Sequence, residues 1–408
     1  MLANLWGVLF EPALRWVTLL AGKELELTPA VCIQKSSSLL KLALCMDKFT
    51  IPHAYYDPAT YDLSQPVGSQ REDWKRLVQQ LLDVDTFGLC SAIPIPPSLK
   101  GIYTIEYFKG YCILHELTSP CGFYLKGWGY MIVPASDTRV SRDIHLAAPH
   151  PGYDLGTVEQ VASMFERTGA RSMLVAGRNR TALLEESSCI IPTSPRQYYY
   201  KTDPTHNNLE PFVDASLAVY HWQHRRAGCP SSSCAFIQIH AKGPSTCPDD
   251  TLFLSSGLGN SVASKAWYSD NTDRPVKRLK QTLKNNFSAW NISLPSDSSC
   301  ALTATKNVVG RHINGVNSSR VCQQAATSRI ASGEFIHAEQ ASDALKQEHY
   351  AAWSKAICEA FEPRCTEGTK IDRKSGLCTA MNSQVVDQDV QPALYEHIRN
   401  IYRLINAL

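Results

Sequence analysis

Residues 143–148 read DIHLAA, and residues 149–176 continue as PHPGYDLGTVEQVASMFERTGARSMLVA. The first stretch is a short apolar run typical of a buried strand, and RSMLVA at 171–176 is a second. Thr157 and Gln160 have the spacing of a capping box at a helix start. Apolar residues then recur at helical spacing, at Val158, Val161, Met164 and Phe165. A strand, a helix and a strand of these lengths predict a parallel βαβ unit.

The same alternation continues towards the C-terminus. Further strands are predicted at 235–240, 251–255 and 334–338, and further helices at 214–226, 275–284 and about 342–361. Strands that alternate with helices of 10–15 residues are typical of a parallel sheet covered by helices on both faces. We therefore predict an α/β fold: a three-layer αβα sandwich with a mostly parallel or mixed sheet, formed by residues 141–408.

The first third of the chain has a different pattern. Residues 1–100 are interpreted as an N-terminal extension of unknown role, with a helix at 74–82 (WKRLVQQLL). Residues 101–140 contain short β-branched and aromatic runs separated by Gly, Ser and Pro. That pattern predicts a small antiparallel β segment.

The overall composition excludes two classes of protein. Forty Lys and Arg residues stand against 38 Asp and Glu residues, a formal charge of +2 in 408 residues. A protein that binds nucleic acid electrostatically carries a basic excess, so no nucleic-acid partner is expected. No apolar run reaches the roughly 18–20 residues that cross a bilayer, so no transmembrane segment is expected.

The cysteines indicate the compartment. Fourteen cysteines occur without any C-x-x-C motif, which argues against zinc ribbons and thioredoxin-like sites. Four glycosylation sequons accompany them, at Asn179, Asn286, Asn291 and Asn317. These features favour a secreted glycoprotein with most cysteines in disulfides; Cys229/Cys234 and Cys358/Cys365 are close enough in sequence to pair locally. The alternative is a cytoplasmic protein, because Glu11 and Arg15 interrupt the moderately apolar residues 2–22.

Polar side chains follow the predicted strands at the points where they end. His150 and Asp154 follow the first strand, His240 closes a later one, and Glu339 follows FIHA near the last. Carboxyl ends of parallel strands meet in one crevice, so we expect these side chains to converge. Two histidines and one carboxylate form a common catalytic zinc set, and a separate carboxylate can serve as general base.

Other polar residues have less specific interpretations. Arg178 and Arg180, in GRNR after the second strand, are candidates to hold a substrate carboxylate. His145 and His337 lie inside strands and are interpreted as ordinary core or surface histidines. No G-x-S-x-G motif is present, so a serine hydrolase of the α/β type lacks its signature.

The motifs also resemble a known group of enzymes. AAPHPGYDLGT (147–157) resembles the first metal-ligand loop of the poly-γ-glutamate hydrolase and N-formylglutamate amidohydrolase families, which are relatives of the zinc carboxypeptidases. FIQIHAKG (236–243) is similar to the strand that delivers the second histidine, and FIHAEQ (335–340) to the strand with the catalytic glutamate. GRNR (177–180) is similar to the Asn-Arg element that binds substrate. The first-loop carboxylate departs from the pattern, because Asp154 follows His150 by four positions where the family more often has Glu at a longer spacing.

The resemblance implies a zinc-dependent hydrolase of an amide bond next to a carboxylate. Zn²⁺ would be held by His150, Asp154 and His240, with Glu339 as general base and Arg178 and Arg180 as substrate-binding residues. Substrates would be γ-glutamyl compounds, N-formyl or N-acyl amino acids, or peptide C-termini. The alternative is a non-catalytic secreted binding protein that keeps the scaffold.

Overall fold

The computed structural model describes residues 27–194 and 197–381. Its centre is a nine-stranded mixed sheet with the strand order β1-β2-β3-β5-β4-β6-β9-β7-β8. The strands are β1 (Tyr103–Phe108), β2 (Tyr111–Glu116), β3 (Tyr130–Pro134), β4 (Arg142–Ala148), β5 (Ala170–Val175), β6 (Cys234–Ala241), β7 (Leu252–Ser255), β8 (Ile292–Ser293) and β9 (Phe335–Gln340). A separate antiparallel hairpin joins β10 (Thr369–Ile371) to β11 (Cys378–Ala380).

The centre of the sheet is parallel, as the sequence pattern predicts. Strand β4 pairs in parallel with both β5 and β6, and β6 pairs in parallel with β9. Nearly every residue of these four strands is buried. Strands that are covered on both faces are mostly apolar, and the polar residues of these segments, such as His145 and Gln238, are themselves buried.

The helices form the two outer layers. They are α1 (Pro29–Lys35), α2 (Leu39–Met46), α3 (Pro58–Ser64), α4 (Gln70–Leu82), α5 (Val84–Phe87), α6 (Thr157–Thr168), α7 (Pro211–Arg226), α8 (Val262–Ser269), α9 (Pro275–Asn286), α10 (Val308–Ile313) and α11 (Tyr350–Ala360). Short 3₁₀ turns lie at Asp47–Phe49, Cys90–Ala92, Pro97–Leu99, Asp137–Arg139, Ser318–Arg320, Ser342–Leu345 and Gln347–His349. Helix α6 packs with α2 and α11, whereas α7 packs with α4 and α10. The three-layer αβα sandwich is therefore confirmed.

Two local predictions about helices were wrong. The predicted helix over 342–361 is two 3₁₀ turns followed by α11, because Lys346 adopts an extended backbone (φ −70°, ψ 143°). The capping box of α6 does not form. Its N-cap is Gly156, at φ +89°, and the side chain of Gln160 instead hydrogen-bonds Gln340 of β9 (3.2 Å).

The antiparallel strands β1–β3 continue the main sheet. Strand β3 pairs antiparallel with β5, and β2 and β1 follow outward. The segment 101–140 is thus one wing of the nine-stranded sheet, joined to residues 141–408 by backbone hydrogen bonds. The division of the chain into three parts stays a prediction.

The N-terminal extension supports the loop that follows β5. Residues 51–56 run alongside 177–182, and the backbone N–H of Asn179 donates to the carbonyl of Ile51 (2.8 Å). The N–H groups of Ala54 and Tyr56 donate to carbonyls of the same loop (2.9 Å each). These bonds hold the GRNR segment, with Arg180 on it, against the body of the protein.

Six disulfides join twelve of the fourteen cysteines. They are Cys32–Cys45, Cys90–Cys112, Cys189–Cys322, Cys229–Cys234, Cys247–Cys300 and Cys365–Cys378. Of the two pairs that are close enough in sequence to form locally, Cys229/Cys234 is present. Cys358/Cys365 does not form, because Cys358 lies within α11 while Cys365 pairs with Cys378 at the start of β11.

The transmembrane, leader and glycosylation predictions have different outcomes. In the two described stretches, 27–194 and 197–381, no helix has the length and apolar character of a bilayer span. The leader-like residues 2–22 lie outside the described residues. Asn179 is buried and its Oδ1 accepts hydrogen bonds from the backbone N–H and hydroxyl of Thr181, so this sequon is inaccessible to a glycan in the folded chain. Asn291 and Asn317 are exposed, and Asn286 is half-buried.

Candidate functional site

Three adjacent parallel strands end at the same edge of the sheet and carry the predicted site residues. His240 and Glu339 are paired across β6 and β9 in register. His150 comes two residues after β4, which pairs with the other side of β6. The parallel order β4-β6-β9 therefore brings His150, His240 and Glu339 into one crevice.

The loop after β4 adds a carboxylate to this crevice. The carbonyl of His150 accepts hydrogen bonds from the N–H groups of Tyr153 (3.2 Å) and Asp154 (2.9 Å). This single turn places the side chain of Asp154 beside the ring it follows by four positions. Its Oδ2 lies 3.0 Å from His150 Nδ1. The short spacing in the sequence is thus compatible with convergence of the two side chains.

Three atoms form a compact triangle at the base of the crevice. Asp154 Oδ2 lies 3.0 Å from His150 Nδ1 and 3.1 Å from His240 Nδ1, and the two Nδ1 atoms are 3.2 Å apart. All three side chains are buried. Buried histidines whose nitrogens face each other and one shared carboxylate oxygen form a donor set suited to a cation.

A second carboxylate, Asp203, orients His150 from behind. Its Oδ1 lies 3.1 Å from His150 Nε2, and its other oxygen pairs with Arg180. Burial opposes ionisation of Asp203, but the positive charge of Arg180 and then of the neighbouring histidines holds its pKa well below the usual range. An ionised carboxylate only accepts, so His150 Nε2 donates to Asp203. Nδ1 is the nitrogen that faces the triangle, where it hydrogen-bonds Asp154 and where it would ligate a metal after losing its proton.

Asp203 was missed by the sequence analysis. It lies in a loop between β5 and α7, more than fifty positions beyond His150, in the segment KTDPTHNN (201–208). The only signal is a run of polar side chains between two apolar stretches, which is also the ordinary composition of a surface loop. Nothing in that pattern indicates that Asp203 becomes buried against a histidine.

The triangle fits a zinc ion. Two imidazole nitrogens and one carboxylate oxygen are a catalytic zinc donor set, and an outer carboxylate on one ligating histidine commonly accompanies it. Burial lowers the pKa of His240 to about 4, so the ring is neutral and able to ligate. Burial raises the pKa of Asp154, but the charge of His150 and hydrogen bonds from both histidines outweigh it and hold that pKa below the usual range.

Glu339 lies on the β9 side of the triangle. Its side chain is 12% exposed and contacts His337, whose Nε2 is 3.4 Å from Glu339 Oε1. Burial raises the pKa of Glu339 to about 8, and the nearby charge of Asp154 adds to the effect. Single ligand-type atoms of His240, His337 and Glu339 all lie within 4.8 Å of one another. Glu339 is therefore placed to exchange protons with groups in the crevice.

His337 is closer to the site than the sequence analysis suggested. Its ring lies 4.4 Å from that of His240, centroid to centroid, and burial holds its pKa well below the ordinary histidine value. The sequence could have indicated that His337 lies near the site, because His337 and Glu339 are two positions apart on one strand and therefore share a face. His145 is a core residue, as interpreted, bonded to Ser172 (2.7 Å) and Gln223 (3.1 Å).

The two candidate arginines have different environments. Arg180 is 21% exposed, pairs with Asp203, and places Nη1 3.5 Å from His150 Nδ1. Arg178 is fully buried, paired with Glu210 (3.3 Å) and hydrogen-bonded to the carbonyl of Gly127 (2.9 Å). The predicted substrate-binding role of Arg178 therefore does not fit its position. The chain turns at Arg180, just after the isolated bridge between Ile51 and Arg178, so the two arginines enter different environments although they are only two positions apart.

Replacing Arg178 by methionine is expected to destabilise the fold. Breaking a buried ion pair from one side leaves the other charge uncompensated, at a cost of about 3–5 kcal/mol. Urea denaturation of Arg178→Met should show this loss, and the exposed Arg329→Met is the matched control. If Arg178→Met kept its stability but bound substrate more weakly, Arg178 would be a substrate-binding residue.

A third group of ligand-type residues is not available to a metal. Cys247, Asp250 and Cys300 lie close together, but the two cysteines form a disulfide. Their sulfur atoms are consumed by that bond, so only one ligand-type side chain is left.

Comparison with known proteins gives structural neighbours only. No protein-family model matches the chain, and no curated protein matches its sequence. Solved structures that are similar to it include metallo-carboxypeptidases, a poly-gamma-glutamate hydrolase and a succinylglutamate desuccinalase.

Three of these structures illustrate the sequence identity and coverage of the matches. A bacteriophage poly-gamma-glutamate hydrolase is 17% identical, over 54% of this chain and 85% of the other, with a TM-score of 0.28. The succinylglutamate desuccinalase of Vibrio parahaemolyticus is 12% identical, over 66% and 81%, with a TM-score of 0.32. A metallo-carboxypeptidase of Pseudomonas aeruginosa, in complex with (2-guanidinoethylmercapto)succinic acid, is 11% identical, over 56% and 58%, with a TM-score of 0.26.

Proposed function

We propose that the protein is a zinc-dependent hydrolase of an amide bond adjacent to a carboxylate. The observation that carries the proposal is the triangle of His150 Nδ1, Asp154 Oδ2 and His240 Nδ1, with sides of 3.0–3.2 Å. Asp203 supports it, because it accepts a hydrogen bond from His150 Nε2 and so leaves Nδ1 as the nitrogen that a metal can use. A purely structural histidine pair would not require an outer carboxylate in this position.

Each residue of the crevice has a role in the proposed reaction. When bound, zinc lowers the pKa of water and polarises a carbonyl group. Glu339 accepts the proton of the attacking water and returns it to the leaving amine, so that the C–N bond breaks and an acid and an amine are released. Arg180 pairs with the substrate carboxylate and fixes the scissile bond relative to Glu339.

The proposal is tested by metal content and hydrolysis together. Purified protein, stripped with a chelator and titrated with Zn²⁺, should take up one zinc per chain. Zinc-loaded protein should hydrolyse at least one member of a panel of γ-glutamyl peptides, N-formyl and N-acyl amino acids and free-carboxylate peptides. Failure to bind zinc would overturn the proposal. Zinc binding with tight, uncleaved carboxylate ligands would favour the non-catalytic binding protein instead.

The disulfides support a proposal about compartment. Disulfides persist in oxidising environments and are rare in the cytosol. Twelve paired cysteines, from the hairpin at residue 378 to the helices near residue 32, are therefore consistent with a protein exported from the cell. Mass spectrometry of protein from its native source would show six intact disulfides and would locate any glycan at Asn286, Asn291 or Asn317.

Asp203, the carboxylate bonded to His150 Nε2, yields a separate prediction. In Asp203→Asn the amide can donate to His150 Nε2, so the tautomer that offers Nδ1 to the metal is no longer enforced. Loss of such an outer partner typically weakens metal affinity by roughly 10–100-fold. Competition with a zinc-binding dye measures the change, and Asp249→Asn, an exposed residue, is the control. Equal affinities for the two variants would contradict the proposed role of Asp203.

A further inference from the structure

A histidine that the proposed reaction does not use, His206, lies beside the crevice. Its Nδ1 is 3.0 Å from Asp203 Oδ2 and 2.8 Å from the hydroxyl of Thr205. Its ring stacks on Tyr199 at 4.0 Å between centroids, with an interplanar angle of 14°. The imidazole is therefore fixed at both its edge and its face, as groups that contact ligands usually are.

The hydrogen bonds of His206 define which nitrogen carries the proton. The carboxylate of Asp203 has no proton to give, so Nδ1–H donates to it. Burial lowers the pKa of His206, although the charge of Asp203 acts in the opposite direction, so the ring is neutral near pH 7. In a neutral ring with a protonated Nδ1, Nε2 has a free lone pair and can only accept.

The accepting nitrogen is open. Within the stretches 27–194 and 197–381, Nε2 of His206 makes no hydrogen bond, whereas Nδ1 makes two. The side chain is 16% exposed, and Nε2 is not among the buried polar atoms that lack a partner. It is thus an accessible acceptor rather than an orphaned core atom.

Arg180 shares the carboxylate partner of His206. Arg180 bonds the same oxygen of Asp203 that His206 Nδ1 contacts, and its guanidinium is also partly exposed. One oxygen of Asp203 therefore holds both the cationic side chain of Arg180 and the neutral ring of His206, next to His150 of the triangle. A ligand that complements both has a carboxylate and an N–H group close together.

We propose that His206 is a further substrate-binding residue, whose Nε2 accepts a hydrogen bond from an N–H group adjacent to the carboxylate held by Arg180. The inference rests on the proposed function and narrows its substrate class. An α-amino acid residue that is acylated on nitrogen has its N–H and its carboxylate on one carbon. The preferred substrates are therefore secondary amides of α-amino acids, in preference to the corresponding esters or N-alkylated amides.

The test is a comparison of two ligands that differ only in this group. N-benzoylglycine has an N–H where O-benzoylglycolic acid has an ether-type oxygen, and both have the same carboxylate. Their dissociation constants are measured by calorimetry on the zinc-loaded full chain in the Glu339→Gln background, in which cleavage is slow. We expect the amide to bind about tenfold more tightly than the ester, as for one well-formed hydrogen bond.

Variants assign the preference to His206. His206→Phe keeps the stacking on Tyr199 but has no acceptor, so the amide and ester should bind equally. His206→Gln restores a carbonyl acceptor and should recover part of the preference, which also guards against misfolding of the first variant. Arg180→Met should weaken both ligands alike, because it removes the carboxylate partner.

The outcomes separate this inference from the proposed function. No preference in the parent protein, or a preference that persists in His206→Phe, would overturn the role of His206. Absence of zinc uptake or of hydrolysis by the wild-type chain would overturn the proposed function. The ligand comparison can still be made in that case on the metal-free chain, since it does not depend on turnover.

Discussion

Glu339→Gln should lower the turnover of the zinc-loaded protein by roughly 10²–10⁴-fold, the usual contribution of a positioned general acid–base group. Glutamine keeps the size and polarity of the side chain but cannot accept the proton of the attacking water. Zinc content should not change, because Glu339 is outside the triangle of His150, Asp154 and His240. The measurement is steady-state hydrolysis of the best substrate in the panel, with metal analysis on the same samples.

A matched substitution controls for the chemistry of the change. Glu362 is exposed, so Glu362→Gln makes the same carboxylate-to-amide change away from the crevice and should keep full activity. Full turnover in Glu339→Gln would require another base, and His337, 3.4 Å from Glu339, would be the first to consider. Loss of metal from Glu339→Gln would make it a ligand and would place Asp154 in doubt.

Asp154→Asn should abolish high-affinity zinc binding. The change keeps the shape of the side chain but removes the negative charge that both histidines face, at 3.0 and 3.1 Å. Since Asp154 is assigned as a direct ligand, its loss should exceed the roughly 10–100-fold effect typical of an outer partner. Affinity is measured by dye competition, and hydrolysis should fall in parallel at limiting zinc.

The relative sizes of these losses are as informative as their presence. Asp154→Asn should weaken zinc binding more than Asp203→Asn, and Asp249→Asn should have no effect. If Asp203→Asn weakened zinc binding more than Asp154→Asn, Asp154 would be only a hydrogen-bond partner of His150, and the metal would be held by other residues. A cluster without metal would instead respond to all these changes through stability alone.

Much of the fold could be predicted because its signals are local. Strands β4, β6 and β9 are buried on both faces, so they appear in the sequence as short apolar runs. Helix α6 shows helical spacing because one side faces the sheet. The wing of β1–β3 shows alternating aromatic and β-branched residues, but its attachment to β5 does not appear in the pattern. Pairing between strands distant in sequence depends on the whole topology.

The sequence by itself determined the ends of the strands, and with them His150, His240 and Glu339. Parallel strands deliver whatever follows them to one edge, so residues at those ends meet without any knowledge of the loops. Only the tertiary structure decided that Asp203 and His206 join them, that Arg180 and not Arg178 faces the crevice, and that Cys365 pairs with Cys378. These contacts join segments whose meeting depends on loop conformation, which is set by packing over the whole chain rather than by the local order of residues.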